Sequence, residues 1–409
     1  MIQRTHFRLT IVALAALATG CRAQTAVPRE LDDFMARPEP AYKWEKVAAP
    51  FVDAGPQTGD DIADLMLTTL GTGAQVSQLV LTSQEWQGAK WTHRLSVVRP
   101  AKVTHPDTAL LLVTFGAGSP QEIALAKVVA NMAGAPMAIL GDVPNQPLFG
   151  LNEDALIAHT LAKYLETGDA SWPLLFPMTK SAVKAMDAVS EFSAKEWQAP
   201  VTKFVVTGAS KRGWTSWLAA AADKRVVGIA PMVYNNLNLP KQMPHQLEVW
   251  GAFSKSISDY TALNLPAALA TPRGQQLGAM IDPWSYRERF TMPKLIVNAA
   301  NDSYWPLDAL DLYRSGLPGR TDVLYAPNAG HAMGGEEMRV FGTLSDWFTR
   351  LLEGKAAPKV ELTSQVDAAT GAPNSRCACR RRKKSPPRGC GWRARRRAIF
   401  APLTGKRPP

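Results

Sequence analysis

The chain has 409 residues, of which 46% are hydrophobic and 20% charged, so it can bury a large core and is not disordered over most of its length. The formal net charge of +11 comes from one end, because residues 376–409 hold thirteen Lys and Arg and no Asp or Glu. Residues 1–375 carry a net charge of −2. The main part of the chain therefore lacks the basic surface of a nucleic-acid-binding domain, and we expect no nucleic-acid partner.

The first 23 residues have the pattern of an export signal. A basic start precedes an apolar run at 9–18, which is too short to span a bilayer. The run ends in Ala18-Thr19-Gly20-Cys21, similar to a bacterial lipobox, in which Cys21 would be acylated and would anchor the protein to a membrane. Ordinary cleavage after Ala23 is the alternative. We expect an exported protein, in the periplasm or, if lipidated, anchored to the outer membrane, with secretion as a further option.

The next segment is a polar leader into the main domain. Residues 24–50 contain several prolines, and we place the domain at residues 51–355. Its first pattern consists of alternating, β-branched stretches at 75–82 and 90–98, joined by a turn at Gln87-Gly88. This pattern predicts an antiparallel hairpin.

Short apolar runs then alternate with stretches of helical periodicity. The predicted strands are 109–114, 136–140, 202–207, 226–233, 294–299 and 322–325, and the predicted helices are 121–133, 152–165, 179–192, 211–222 and 338–352. This alternation predicts an α/β fold with a mostly parallel central sheet and helices on both faces. Residues 235–291 interrupt the pattern and are expected to form an irregular, lid-like insert.

A candidate nucleophile lies where the strand ending at Thr207 meets the next helix, in the run Gly208-Ala209-Ser210-Lys211-Arg212-Gly213. A serine on a sharp turn between strand and helix is exposed, rigidly held and close to backbone donors. The spacing Gly-x-Ser-x-x-Gly is one residue longer than the familiar Gly-x-Ser-x-Gly. Taken alone, the motif therefore fits a nucleophile and a helix N-cap about equally well.

The partners of a serine nucleophile follow it in this kind of fold in the order Asp or Glu, then His. His331 comes after the strand at 322–325, and Asp302 comes at the end of the strand at 294–299. The carboxyl ends of parallel strands are where sites form in open α/β sheets. We therefore predict a catalytic triad of Ser210, Asp302 and His331.

Other residues could take these roles. Asp302 could be a turn or helix N-cap residue, with Asp308 and Asp311 as rival carboxylates, although both fall inside the helical stretch that follows. His245 is the other downstream histidine. It lies in the insert with no strand before it, so we interpret it as a surface or lid residue.

An oxyanion hole needs two backbone donors. We assign one to the N–H of Lys211 and the other to the loop Gly116-Ala117-Gly118, which follows the strand at 109–114. The Lys211 side chain would add positive charge beside the oxyanion or else point to solvent.

Neither a cofactor nor a metal is indicated. The sequence has no His-Glu-x-x-His, and Gly116-x-Gly118 lacks the third glycine of a dinucleotide fingerprint. None of the four cysteines lies between residues 22 and 376, so the predicted core has neither a disulfide nor a thiolate site.

The composition changes abruptly near Ala372. We interpret residues 356–375 as a linker and 376–409 as a basic, disordered tail. The excess of Arg, Pro, Gly and Cys is typical of a GC-rich gene translated in a shifted frame, which is the interpretation we favour. A tail that binds nucleic acid or anionic lipid is the alternative.

Several long motifs resemble the PhoPQ-activated pathogenicity-related family of exported bacterial proteins. They are 144–147 (PNQP), 152–157 (NEDALI), 172–181 (WPLLFPMTKS), 204–217 (FVVTGASKRGWTSW) and 229–233 (IAPMV). The resemblance covers residues 31–352 and implies an α/β-hydrolase-like fold and an exported location. It places Ser210, Asp302 and His331 on the family's Ser-Asp-His positions and implies a further C-terminal region where the basic tail stands.

The function expected from this pattern is serine hydrolysis of a small-molecule or cell-envelope ester, with an amide as a less favoured substrate. The Gly-x-Ser-x-x-Gly spacing is also similar to that of glucuronoyl esterases. The alternative is an exported binding or signalling protein that keeps a hydrolase scaffold without catalysis.

Overall fold

The computed structural model describes residues 27–48, 58–116 and 118–355, together with the backbone of 359–366 and 373–380. The predicted export signal with Cys21, the predicted oxyanion residue Ala117 and the tail beyond 380 lie outside these residues. No helix in the described part of the chain is long and apolar enough to cross a membrane. The chain divides into two units after Lys355.

The first unit contains a nine-stranded sheet in the order β1-β2-β3-β5-β4-β6-β7-β8-β9. The strands are β1 (Lys43–Lys46), β2 (Gln75–Trp86), β3 (Ala89–Arg99), β4 (Thr108–Val113), β5 (Met137–Leu140), β6 (Lys203–Ala209), β7 (Val226–Met232), β8 (Lys294–Ala299) and β9 (Thr321–Ala326). Strands β1, β2, β3 and β5 pair antiparallel, whereas β5, β4, β6, β7, β8 and β9 pair parallel. The prediction of a hairpin followed by a mostly parallel sheet is confirmed.

The helices are α1 (Glu30–Met35), α2 (Asp61–Leu70), α3 (Pro120–Ala133), α4 (Glu153–Thr167), α5 (Leu175–Trp197), α6 (Lys211–Ala222), α7 (Leu239–Trp250), α8 (Ser258–Ala262), α9 (Leu265–Ala268), α10 (Pro272–Ile281) and α11 (Glu337–Leu352). Short 3₁₀ turns lie at Lys255–Ile257, Pro283–Arg289, Ala309–Leu312 and Arg314–Gly316. All five helices predicted outside the insert are present, and α5 is longer than its predicted range of 179–192.

Both faces of the sheet are covered because successive strand residues point to opposite sides. In β6, Val206 packs in a cluster with Phe192 of α5 and Trp217 of α6. Its neighbour Val205 packs instead with Val129 of α3 and Trp347 of α11. The α/β-hydrolase-like prediction of helices on both faces is therefore confirmed, and the parallel strands direct their carboxyl ends toward one edge.

The leader predicted at residues 24–50 is wrong over much of its length. Leu31 and Phe34 lie one turn apart on α1 and are buried in the core, with the Phe34 ring 5.7 Å from that of Phe176 on α5. Strand β1 pairs with β2 at the edge of the sheet. Only these two side chains of the six-residue helix are buried, and a pattern this short does not stand out by periodicity.

The insert predicted as irregular is helical. It contains α7, α8, α9 and α10, and prolines stand in the first two positions of α7, α9 and α10. Proline fits the first turn of a helix, where its missing N–H has no acceptor to lose. Three of the prolines that suggested irregular structure therefore mark the starts of helices, whereas Pro244 lies inside α7.

The second unit is a two-stranded antiparallel sheet of β10 (Lys359–Val366) and β11 (Pro373–Arg380), in register from Lys359 opposite Arg380 to Val366 opposite Pro373. For the described residues 359–366 and 373–375, this corrects the predicted linker, and for 376–380 it corrects the predicted disordered tail. Val, Leu and Thr at 360, 362 and 363 favour a strand, and the second segment gains its order from backbone pairing with the first.

Candidate active site

Ser210 lies on a sharp turn between β6 and α6. Its backbone angles are φ 56° and ψ −123°, a region that residues other than glycine rarely adopt. The Ser210 N–H donates to the carbonyl of Met232 on the adjacent strand, at 2.8 Å. The side chain makes no capping hydrogen bond to α6, so the N-cap interpretation does not describe this hydroxyl.

Two glycines allow the turn to be this tight. A Cβ at Gly208 would lie 2.7 Å from the carbonyl oxygen of Arg212, and one at Gly213 would lie 3.0 Å from that of Met232. Gly213 thus lets α6 approach β7 closely. In the Gly-x-Ser-x-x-Gly spacing, the second glycine stands one residue later than in Gly-x-Ser-x-Gly, and it still allows the helix to pack closely against the sheet.

The structure brings Ser210, His331 and Asp302 into one hydrogen-bonded chain. His331 Nε2 is 2.9 Å from Ser210 Oγ, and His331 Nδ1 is 2.9 and 3.0 Å from the two carboxylate oxygens of Asp302. A carboxylate can only accept, so Nδ1–H donates to Asp302 and Nε2 is left to accept from the serine hydroxyl. Asp302 follows β8 and His331 follows β9, at the same edge of the sheet as Ser210.

The rival residues form a pair of their own. His245, on α7 in the insert, has its Nε2 2.8 Å from Oδ1 of Asp308. The pair lies outside the Ser210–His331–Asp302 chain, in agreement with the interpretation of His245 as a lid residue.

The Lys211 side chain does not point to solvent, and its charge is paired with carboxylates. Its ammonium lies 2.8 Å from Glu153 and 3.3 Å from Asp154 at the start of α4. The Arg212 guanidinium donates to both oxygens of the Glu153 carboxylate, at 2.5 Å to Oε1 and 2.7 Å to Oε2, and Lys211 shares Oε2. Burial alone would raise the pKa of Glu153, but the paired cations, Arg212 foremost, lower it to about 2.

Three side chains that the sequence prediction missed complete this region. Asp154 accepts hydrogen bonds from the hydroxyls of Tyr260, at 2.9 Å, and Tyr304, at 3.1 Å. The Tyr304 ring lies against that of His331, with centroids 4.1 Å apart. Burial, reinforced by the Asp154 carboxylate, raises the pKa of both tyrosines, which therefore stay protonated as donors. Asp154 is part of the 152–157 motif, the one sequence signal that pointed here.

The predicted oxyanion residues are only partly described. Lys211 is the first residue of α6, and the N–H groups of a first helical turn have no acceptor within the helix. Gly116 follows β4, and its carbonyl accepts from the N–H of Asp142, at 3.0 Å. The neighbouring Phe115 ring lies 5.4 Å from the Arg212 guanidinium, which places this loop beside the start of α6.

A cavity of about 100 Å³ opens beside Ser210 and His331. The polar group of Asp154, Lys211, Tyr260 and Tyr304 lines one part of it, and the rest is mostly apolar, with much of it supplied by the insert. Among the described residues, no group of three His, Cys, Asp or Glu side chains is placed to hold a metal ion.

Comparison with known proteins identifies the family. The PhoPQ-activated pathogenicity-related protein family matches residues 61–394, and the chain belongs to it. The match begins later and extends further than the range of 31–352 expected from the motifs. The autocrine proliferation repressor protein A of Dictyostelium discoideum is 30% identical over 362 residues, which cover 83% of this chain and 69% of that protein.

Solved structures resemble the fold. An acetyl xylan esterase from Paenibacillus sp. R4 has a TM-score of 0.52 at 12% identity, covering 80% of this chain and 92% of the esterase. An acylaminoacyl peptidase from Pyrococcus horikoshii has a TM-score of 0.47 at 15% identity, covering 71% of this chain and 44% of the peptidase. The first of these likenesses supports an α/β-hydrolase fold.

Proposed function

We propose that this member of the PhoPQ-activated pathogenicity-related family is a serine hydrolase that cleaves carboxylic esters. Ser210 is the nucleophile, His331 the general base and Asp302 the group that orients the imidazole. The observation that carries the proposal is the hydrogen-bonded chain from Ser210 Oγ through both ring nitrogens of His331 to Asp302, with distances of 2.9 to 3.0 Å.

In the proposed reaction, Ser210 Oγ attacks the ester carbonyl carbon while His331 Nε2 takes the hydroxyl proton. The oxyanion is stabilised by the N–H of Lys211 and by an N–H of the Gly116-Ala117 loop. The C–O bond to the alcohol then breaks, and the alcohol leaves with the proton from Nε2. Water, deprotonated by Nε2, attacks the acyl-enzyme and releases the acid, which restores Ser210.

The cavity is compatible with a small ester. A volume of about 100 Å³ accommodates a short acyl group. No metal or cofactor takes part in the proposed steps.

We also propose that the protein acts outside the cytoplasm on a small-molecule or cell-envelope ester. The support is the signal-like pattern of residues 1–23. Mass spectrometry of the mature N-terminus tests this proposal. An acylated Cys21 indicates an anchored lipoprotein, a start at Gln24 indicates ordinary cleavage, and an intact Met1 in the cell would contradict export.

A fluorophosphonate probe tests the nucleophile. We expect labelling of the wild-type chain, loss of labelling in Ser210→Ala, and unchanged labelling in the control Ser315→Ala, whose side chain is on the surface. Hydrolysis of p-nitrophenyl esters should fall at least about a thousandfold in Ser210→Ala. A folded wild-type protein that is not labelled would contradict the proposal.

The second candidate is a non-catalytic exported signalling or binding protein. It is favoured by the name of the 30% identical relative, an autocrine proliferation repressor. This alternative predicts that the wild-type chain is not labelled and that Ser210→Ala retains full biological activity.

A further inference from the structure

The charged groups at the cavity beside Ser210 form ion pairs with one another. The Lys211 ammonium lies between Glu153 and Asp154, and Asp154 also accepts the hydroxyls of Tyr260 and Tyr304. A substrate carboxylate entering here would have to displace a partly buried ion pair, at a cost in desolvation. The cavity therefore favours an uncharged, apolar occupant.

The remaining wall is aliphatic and aromatic. It includes Leu161 of α4, Trp214 of α6 and four insert residues, Leu265, Leu269, Leu277 and Ile281. The Trp214 indole N–H donates to the carbonyl of Ile281 at 2.6 Å, which ties the insert to the helix that carries Ser210 at its start. This hydrogen bond joins the two parts of the wall.

The size of the cavity limits what fits. An apolar cavity of about 150 Å³ can hold benzene. The volume here, about 100 Å³, corresponds to a chain of about four to six carbons. An acetyl group would leave part of this space empty, and a longer chain would have to reach past the insert.

We propose, resting on the serine-hydrolase function above, that this cavity binds the acyl side of the substrate and selects uncharged acyl groups of about four to six carbons. The acyl carbon first bonds to Ser210 Oγ and then loses its bond to the alcohol oxygen, so the acyl chain stays in place while the alcohol departs. A partly enclosed apolar cavity beside Ser210 suits the acyl chain, which remains attached to Ser210 after the alcohol has left.

The test measures kcat/KM of the full chain for p-nitrophenyl esters from acetate to decanoate. Each buried methylene contributes about fourfold. Butanoate has two more methylenes than acetate, so we expect it to exceed acetate by about sixteenfold, with the optimum between butanoate and hexanoate.

Two variants of Leu269 move the optimum in opposite directions. Leu269→Phe narrows the cavity and should shift the optimum to shorter acyl chains than in the wild type. Leu269→Ala enlarges it and should shift the optimum to octanoate or beyond. The matched control is Leu263→Ala, at an exposed leucine of the insert outside the cavity wall, which should keep the wild-type optimum.

Fluorophosphonate labelling separates the two proposals. A labelled wild-type protein with a flat chain-length profile, an optimum at acetate, or a preference for an acyl group that carries a second, free carboxylate overturns the acyl-pocket proposal and leaves the hydrolase function standing. Absence of both labelling and hydrolysis overturns both. If Leu269→Phe fails to fold, the shift in Leu269→Ala, which creates no overlap, decides the outcome.

Discussion

The ring of Tyr304 lies against the imidazole of His331, with centroids 4.1 Å apart and planes inclined by 33°. The hydroxyl of Tyr304 donates to Asp154, and its backbone N–H donates to Asp302, at 2.8 Å. Tyr304 therefore contacts two members of the proposed triad, His331 and Asp302, and its hydroxyl is held by a second carboxylate, that of Asp154. We infer that Tyr304 is a positioning residue for His331.

Replacing this ring should lower turnover. An aromatic pair is worth about 0.5–1.5 kcal/mol beyond its buried area, so Tyr304→Ala is expected to lower kcat up to about tenfold with a smaller change in KM. Tyr304→Phe keeps the ring and should restore most of kcat. Steady-state kinetics on a butanoate ester measures both. Equal losses in the two variants would instead assign the effect to the hydrogen bond with Asp154.

The sequence predicted the members of the triad but not their surroundings. Asp302 and His331 could be found because parallel strands end at one edge and the chain order in this fold is known. Tyr260 and Tyr304 contact Asp154 from 106 and 150 residues away, a proximity that local pattern cannot reveal. The insert helices were missed for a related reason, since proline both breaks helices and begins them.

The close approach of α6 to β7 can be tested at Gly213. A Cβ there would lie 3.0 Å from the Met232 carbonyl and 3.1 Å from that of Gly208. Gly213→Ala should lower the free energy of unfolding by about 1–3 kcal/mol, despite the better helix propensity of alanine. Denaturant unfolding measures the change.

Gly342 in α11 is the matched control. A Cβ at this helical glycine would meet nothing within 4 Å. Gly342→Ala should therefore raise the free energy of unfolding by about 0.5–1 kcal/mol. If both variants are stabilised, the close approach at Gly213 does not constrain the turn.

The Glu153–Arg212 pair should stabilise the fold in an acid-sensitive way. Arg212 is only 6% exposed and Glu153 is 37% exposed, so Glu153→Gln leaves a buried guanidinium without its charge partner. Breaking a buried pair costs about 3–5 kcal/mol, and partial exposure reduces our expectation to about 2 kcal/mol. Glu166→Gln, at the exposed end of the same helix, should cost less than about 0.5 kcal/mol.

The pH dependence of this pair follows from the lowered pKa of Glu153. A carboxyl whose pKa falls from 4.5 to about 2 on folding contributes stability above pH 4.5 and loses it as the pH falls toward 2. When unfolding by urea is measured between pH 4.5 and 2, the free energy of unfolding of Glu153→Gln should fall less than that of the wild type. The same loss in wild type and variant would show that the ion pairs do not stabilise the fold.

His93 should make the protein sensitive to milder acid. Its Nδ1 is 3.0 and 3.2 Å from the carbonyls of Asp142 and Gly141, and its Nε2 is 2.9 Å from Ser83 Oγ. Burial lowers the pKa of His93 to about 4, because the charged imidazolium would lose its hydration inside the protein.

The unfolded chain binds a proton at this histidine near pH 6.5, whereas the folded chain does so only near pH 4. The stability that His93 contributes is therefore fully present above pH 6.5 and falls as the pH drops toward 4. The free energy of unfolding should fall by about 3 kcal/mol over this pH range. His93→Gln should be less stable at pH 7.5 but lose little between pH 6.5 and 4.5, as measured by urea unfolding at half-unit steps. Parallel stability curves for the two proteins would mean that His93 takes no part in the acid response.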